Sequence, residues 1–307
     1  MYLNSKKHNI LDGVIFKNSS QTSIIDRKNY KRYLSTRKMN YISNLDPIII
    51  GGCPRSGTTL ARALIGFHPD IASVEREYNL LMWIDKADIL KRVFDFTDEE
   101  IKLLYADSKD HIKLAENILL KYMEKKHKKI IALKHPFHIL IIDELFHYFP
   151  NMKFIHMIRD GRDTACSLRT HPKRKKVDDK IIQLNTNSPF NWCIRRWIVA
   201  LNLGKKWKNS NNYIEIKYEA LVEKPVEELK KIFNFLNLKM IPNKDLLNYY
   251  KNQKGDKHIQ NIEVGQPIYK KTAGRWKKDM SEEEKIMFKK IAGDYLIKYN
   301  YEKNNNW

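Results

Sequence analysis

A short isoleucine run that stops at glycines constrains this chain more than any other feature: Pro47-Ile-Ile-Ile50 opens into Gly51-Gly-Cys-Pro-Arg-Ser-Gly-Thr-Thr59. The run is too short for a helix, is β-branched and is bounded by glycine, which predicts a buried strand. Past the loop, Leu60, Ala63, Leu64 and Phe67 recur at helical spacing. Strand, glycine loop and helix in that order make a concave anion site, because the loop N–H groups and the unsatisfied N–H groups of the helix start converge. The spacing Gly52-x-x-x-x-Gly57 is that of a phosphate-binding loop. A nucleoside triphosphatase needs Lys after the second glycine, reaching the β- and γ-phosphates. Here that position is Thr58, Thr59 follows, and Arg55 lies inside the loop. The best-placed later strand, residues 152–158, ends in Arg159-Asp160 rather than in a clear Mg²⁺-binding acid. Such a loop suits one phosphate-like group held without metal; a P-loop kinase or nucleoside triphosphatase is the alternative.

Further strands are expected at residues 129–133, 152–158 and 213–217, each followed by a helical pattern at about 137–149, 160–169 and 225–236. This alternation predicts an α/β fold with a mostly parallel central sheet, helices on both faces and the phosphate loop after the first strand. Residues 75–128 read as helical, with Thr97-Asp-Glu-Glu100 a helix start of the capping-box type, and Ser281-Glu-Glu-Glu284 opens the last helix in the same way. Residues 1–43 read as a polar N-terminal extension and 44–307 as a single domain, with a fraying polar tail at 302–307. Lys173-Arg-Lys-Lys176 and Asp178-Asp179 fall in a loop of lid or binding type before a helix carrying Trp192, Trp197 and Trp207.

The chain carries 57 Lys+Arg against 36 Asp+Glu, a net charge of +21, which favours an anionic ligand. Lysine is spread along the chain rather than gathered into a nucleic-acid footprint, so no dedicated nucleic-acid partner is expected. A non-catalytic anion- or nucleic-acid-binding module is the alternative outside the enzymes. No apolar run approaches the ~18 residues of a membrane span, and MYLNSKKHNILDG lacks the apolar core of a secretory signal. Cys53, Cys166 and Cys193 form no CxxC and suggest neither a disulfide framework nor a zinc site. A soluble, cytoplasmic protein is expected.

Cys53–Leu60 resembles the 5′-phosphosulfate loop of sulfotransferases that use 3′-phosphoadenosine 5′-phosphosulfate (PAPS). Residues 154–158 followed by Arg159-Asp-Gly-Arg-Asp-Thr-Ala-Cys-Ser167 resemble the family's 3′-phosphate motif, in which the Arg and the Ser grip that phosphate. Ile216-Lys-Tyr218-Glu219 resembles the strand whose tyrosine lies near the adenosine, and Gly274-Arg275-Trp276-Lys277-Lys278 the segment that closes over the nucleotide. The resemblance spans about residues 47 to 278 and is nearest the tyrosylprotein and carbohydrate branch. It implies in-line sulfuryl transfer from PAPS to an acceptor hydroxyl, leaving 3′-phosphoadenosine 5′-phosphate (PAP), with no metal required. Arg55, Ser56, Gly57, Thr58, Thr59, Arg159, Ser167, Tyr218, Arg275, Trp276 and Lys277 then hold the nucleotide, with Arg55 also acting on the moving group. Lys134 matches the lysine that stabilises the bridging oxygen. For the general base the resemblance offers Glu75 first, Glu77 second and His135 third. The tyrosylprotein branch has adjacent glutamates where this chain reads Glu75-Arg76, a departure of one position. His68 is read as structural. The acceptor stays open among glycan, tyrosyl and small alcohol or phenol, as does the oligomeric state, a homodimer included.

Overall fold

A computed structural model describes residues 32–171, 173–177, 180–184, 187–242 and 273–307. Residues 1–31 of the polar extension and Asp178-Asp179 lie outside the described residues.

Five strands form one parallel sheet: β1 (Ile48–Gly52), β2 (Ile71–Ser73), β3 (Ile130–Lys134), β4 (Lys153–Ile158) and β7 (Tyr213–Lys217), in the order β2-β3-β1-β4-β7. β1 is central. Ile48 pairs with Ala132 on one side and Lys153 on the other. Because side chains alternate, Ile48 and Ile50 face one layer and Ile49 the other, and a strand covered on both faces must be apolar throughout. The first layer holds α1 (Thr58–Ile65), α8 (Tyr218–Glu223) and α9 (Pro225–Phe235), through Ala61, Leu64, Leu221, Ile232 and Phe233. The second is larger and includes α2 (Ala87–Phe94), α3 (Asp98–Ala106), α4 (His111–Lys126), α5 (Ile142–Tyr148), α6 (Gly161–Arg169), α7 (Phe190–Lys205) and α11 (Glu282–Lys298), with the four-residue α10 (Trp276–Asp279) beside them.

The capping boxes expected at Thr97 and Ser281 are both formed. Four expectations need correction. Residues 137–149 are not one helix: a 3₁₀ turn, Pro136–Ile141, precedes α5. Pro136 cannot donate a backbone hydrogen bond and fixes this turn's start. Residues 75–86, expected to be helical, contain no α-helix, and β2, a three-residue edge strand, was not expected at all. The expected loop at 173–184 instead holds an antiparallel pair, β5 (Lys173–Val177) and β6 (Lys180–Leu184). Nor does the segment 302–307 fray: Glu302 pairs with Arg162, and Trp307 packs on Trp276 and Phe288.

All five parallel strands point the same way, so their carboxyl ends line one edge, where an open α/β sheet places its ligand. That edge carries Gly52 and its loop, the segment after Ser73, Lys134-His135, Arg159-Asp160 and Lys217-Tyr218.

Candidate active site

The phosphate loop turns sharply on two glycines. Gly52 lies against the Met157 carbonyl, so a Cβ there would collide with backbone. Gly57 has φ 87° and stacks on Tyr218, whose ring a Cβ would strike. Arg55 also takes a left-handed conformation, φ 75°. Gly57 then starts α1 with no side-chain cap and no acidic residue in the first turn, leaving the helix's N–H groups for an external anion. Ser56 is buried, and its Oγ has no hydrogen-bond partner, a cost that an anion's oxygen would remove. Thr58 is buried and Thr59 half-buried.

At the β4 end, Arg159 and Ser167 converge on this loop. Arg55 Nε donates to Ser167 Oγ at 3.1 Å, and Arg159 Nη1 donates to the Arg55 carbonyl at 3.0 Å. The Arg159 guanidinium lies 4.6 Å from the Tyr218 ring centroid. The structure thus brings Arg55, Gly57, Arg159, Ser167 and Tyr218 into one connected patch. Asp160 caps α6, accepting from the Arg162 N–H at 2.9 Å, and takes the Arg162 guanidinium through Nε at 3.0 Å and Nη2 at 2.7 Å. Asp163 is fully buried and accepts from the backbone N–H of Gly274 at 2.7 Å and of Trp276 at 2.9 Å. The 274–276 segment is therefore pinned to the helix that carries Ser167. The Arg275 and Lys277 side chains are not gathered into the patch by the contacts they make: Arg275 pairs with Asp279 at 2.5 Å, and exposed Lys277 lies 5.9 Å from the Trp276 ring.

The second patch lies at the end of β3, within reach of the charge on Arg55. Lys134 is 1% exposed, yet its Nζ reaches Glu77 Oε1 at 2.6 Å. The chain leaves β2 still following β3, with the Val74 N–H on the Ala132 carbonyl at 2.9 Å and the Tyr78 N–H on the Lys134 carbonyl at 3.4 Å. That path delivers Glu77 to Lys134. Glu75 is exposed and faces elsewhere: together with burial, its charge raises the Tyr122 phenol to about 12. Burial opposes the charge on Glu77, but Lys134, His135 and Arg55 together pull its pKa down to about 2. His135 Nε2 lies 4.0 Å from Glu77 Oε2, and its Nδ1 accepts the Phe137 N–H at 3.3 Å, which leaves the proton on Nε2, facing Glu77. Burial lowers the His135 pKa to about 4, against the pull of Glu77 and with the push of Lys134 and Arg196. Trp83 and Phe137, both half-buried, stand edge-on to the His135 ring at 5.1 and 5.3 Å. Arg196 stacks on Phe137 and Trp192 at 4.6 and 4.9 Å.

Sequence reasoning gave Arg162, Asp163, Trp83 and Arg196 no role. A signal for the first two was present, since Arg159-Asp160 is repeated three residues on as Arg162-Asp163. His68 has a local partner set, its Nδ1 accepting the Asp70 N–H and its Nε2 lying 3.1 Å from the Lys239 carbonyl.

An anion cradle whose Arg55 acts through its charge on a pair made of a buried lysine and a half-exposed carboxylate fits a group-transfer enzyme with an anionic donor. Residues 47–242 match the model of the sulfotransferase family. The chain belongs to that family, the enzymes that pass the sulfuryl group of PAPS to an acceptor. It is 27% identical to protein-tyrosine sulfotransferase 1 of Danio rerio, over 64% of this chain and 55% of that protein. It is 32% identical to the Homo sapiens protein of the same name, over 52% and 42%. The chain thus spans about half the length of these relatives. In fold it is similar to the sulfotransferase domain from the Synechococcus PCC 7002 olefin synthase, with a TM-score of 0.62, 19% identity and coverage of 85% of this chain and 98% of that one.

Proposed function

We propose that the protein transfers the sulfuryl group of PAPS to a tyrosyl hydroxyl, with Glu77 as general base and Lys134 as the cation on the bridging oxygen. The observation that carries this is the 2.6 Å Lys134–Glu77 pair, which feels the charge of the same Arg55 that bonds to Ser167 and Arg159. When bound, PAPS supplies the sulfuryl group and a phosphate leaving group. The loop N–H groups, Ser56, Thr58, Thr59 and Arg55 would hold the 5′ end, and Arg159 and Ser167, beside Tyr218, would hold the 3′-phosphate. Lys134 offers N–H to the oxygen that gains charge as the bond to sulfur breaks. Glu77, ionised at neutral pH, accepts the acceptor's hydroxyl proton. His135, neutral at the same pH, stands with its Nε2–H 4.0 Å from Glu77 and puts no second cation beside it. A tyrosyl acceptor is supported by the names of the relatives, protein-tyrosine sulfotransferases, and by the half-buried rings of Trp83, Phe137 and Trp192 near this patch. Against the triphosphatase reading, Asp160 is already committed to Arg162 and to the α6 cap.

The test is sulfuryl transfer from PAPS to a tyrosine-containing peptide, with PAP affinity measured alongside. Glu77→Gln is expected to lower kcat by about 10²–10⁴-fold with PAP affinity intact, and Glu75→Gln to stay within about threefold. The reverse ranking would move the base to Glu75. Turnover of glycans or simple phenols but not peptides would change the acceptor and keep the chemistry.

A further inference from the structure

The segment after α11 holds the nucleotide edge of the sheet from behind. Arg162, 2% exposed, is enclosed on two sides by aromatic rings, with Trp276 at 3.8 Å and Trp307 at 4.5 Å. Its Nη1 donates to Glu302 Oε1 at 2.5 Å while its other nitrogens hold Asp160. Trp276 and Trp307 meet edge to face at 5.4 Å. On the far side of the same turn, Glu219 accepts the Asp160 N–H at 2.9 Å, and the Tyr301 hydroxyl donates to Glu219 at 3.4 Å. Arg159, which the cofactor reading assigns to the 3′-phosphate, sits between these anchors. Its Nη2 is 3.8 Å from Asp163, the residue that pins Gly274 and Trp276.

We infer that Trp307 and Glu302, aided by Tyr301, are positioning residues for recognition of the nucleotide's 3′-phosphate: they fix Arg162 and Glu219, which fix the Arg159–Asp163 turn and the 274–276 segment. None of the three is among the residues assigned above to the nucleotide. A buried guanidinium enclosed by two rings has one orientation. Removing one ring leaves it room to tilt, taking Asp160 and Trp276 with it. The inference rests on the PAPS reading, and its test separates the two.

The experiment titrates PAP and adenosine 5′-monophosphate, which lacks the 3′-phosphate, into wild type and variants by calorimetry. The wild type is expected to bind PAP far more tightly than the monophosphate. Trp307→Ala is expected to weaken PAP about tenfold, the scale of one buried cation–π contact, and to leave the monophosphate within about twofold. Trp307→Phe, which keeps a ring over Arg162, restores PAP binding to within about threefold. Glu302→Gln removes the ion pair without opening a cavity and shows the same selective loss at about threefold, so the inference is tested even if Trp307→Ala does not fold. Parallel weakening of both nucleotides, or unchanged PAP binding in both variants, overturns the inference while the cofactor reading stands. A wild-type protein that binds the two nucleotides alike overturns the cofactor reading and the inference with it.

Discussion

Glu77 keeps its charge under opposed pressures. Burial works to neutralise it, and Lys134, His135 and Arg55 overcome that and hold its pKa at about 2, although 46% of the side chain is exposed. His135 beside it is driven down to about 4. Neither group changes state between pH 5 and 8, so neither gives kcat/KM a titration limb in that range. Lys134→Ala removes the largest of the cations holding Glu77 ionised. That variant is expected to lose about 10²–10³-fold in kcat and to gain an acid limb near or above the ordinary ~4.3 of a glutamate. A wild-type limb near 6.5, read from a pH–rate profile, would instead point to an ordinary histidine. The residues of the nucleotide patch were legible because their spacing is the chemistry: Arg55 and the Gly52–Gly57 pair mark a loop before any fold is known. The choice between Glu75 and Glu77 was not legible. It depends on how an irregular segment runs alongside the end of β3, and no periodicity in residues 74–78 encodes that path.

At the scale of elements, the loop and its two flanking structures work as a unit, since Gly57 is where α1 begins and also where Tyr218 rests. Gly57→Ala would force a side chain into φ 87° and into that ring. The expected outcome is a loss of at least tenfold in PAP affinity and of about 1–3 kcal/mol in stability, read from calorimetry and urea unfolding. Binding at the wild-type level would mean that the Tyr218 ring moves aside freely. Elements with strong local signals were read well from the sequence: β7 matched its expected bounds, and both capping boxes formed. Those whose stability comes from distant partners were not. β2 is three residues long and exists because β3 offers it an edge. The segment 302–307 is polar in composition but is held by Arg162, more than a hundred residues away in sequence.

For the molecule as a whole, three of the buried histidines contribute to the response to acid. His135, His138 and His156 stay neutral because burial disfavours their charged forms, with pKa values of about 4 for His135, about 3 for His156 and well below the ordinary value for His138. In the unfolded chain they take up protons as pH falls through 6.5, and in the folded protein they do not. Stability is therefore full above pH 6.5 and declines on acidification toward about 4 and below. Each such histidine contributes up to about 1.4 kcal/mol per pH unit. Urea midpoints at pH 7, 5.5 and 4.5 check this, and a flat series would show that the histidines charge inside the fold.

β1, at the middle of the sheet, carries a cost during synthesis. It is translated before both of its sheet neighbours, β3 and β4, which follow many residues later in the chain. Until then Ile48, Ile49 and Ile50 present two sticky faces and two open hydrogen-bonding edges. The nucleotide gives no help in that interval. The residues assigned to it come from Arg55, Arg159, Ser167 and Tyr218, and they meet only when the last parallel strand has docked. Nucleotide capture is thus a stamp on the finished sheet, and the isoleucine faces of β1 stay open until its neighbours have been made.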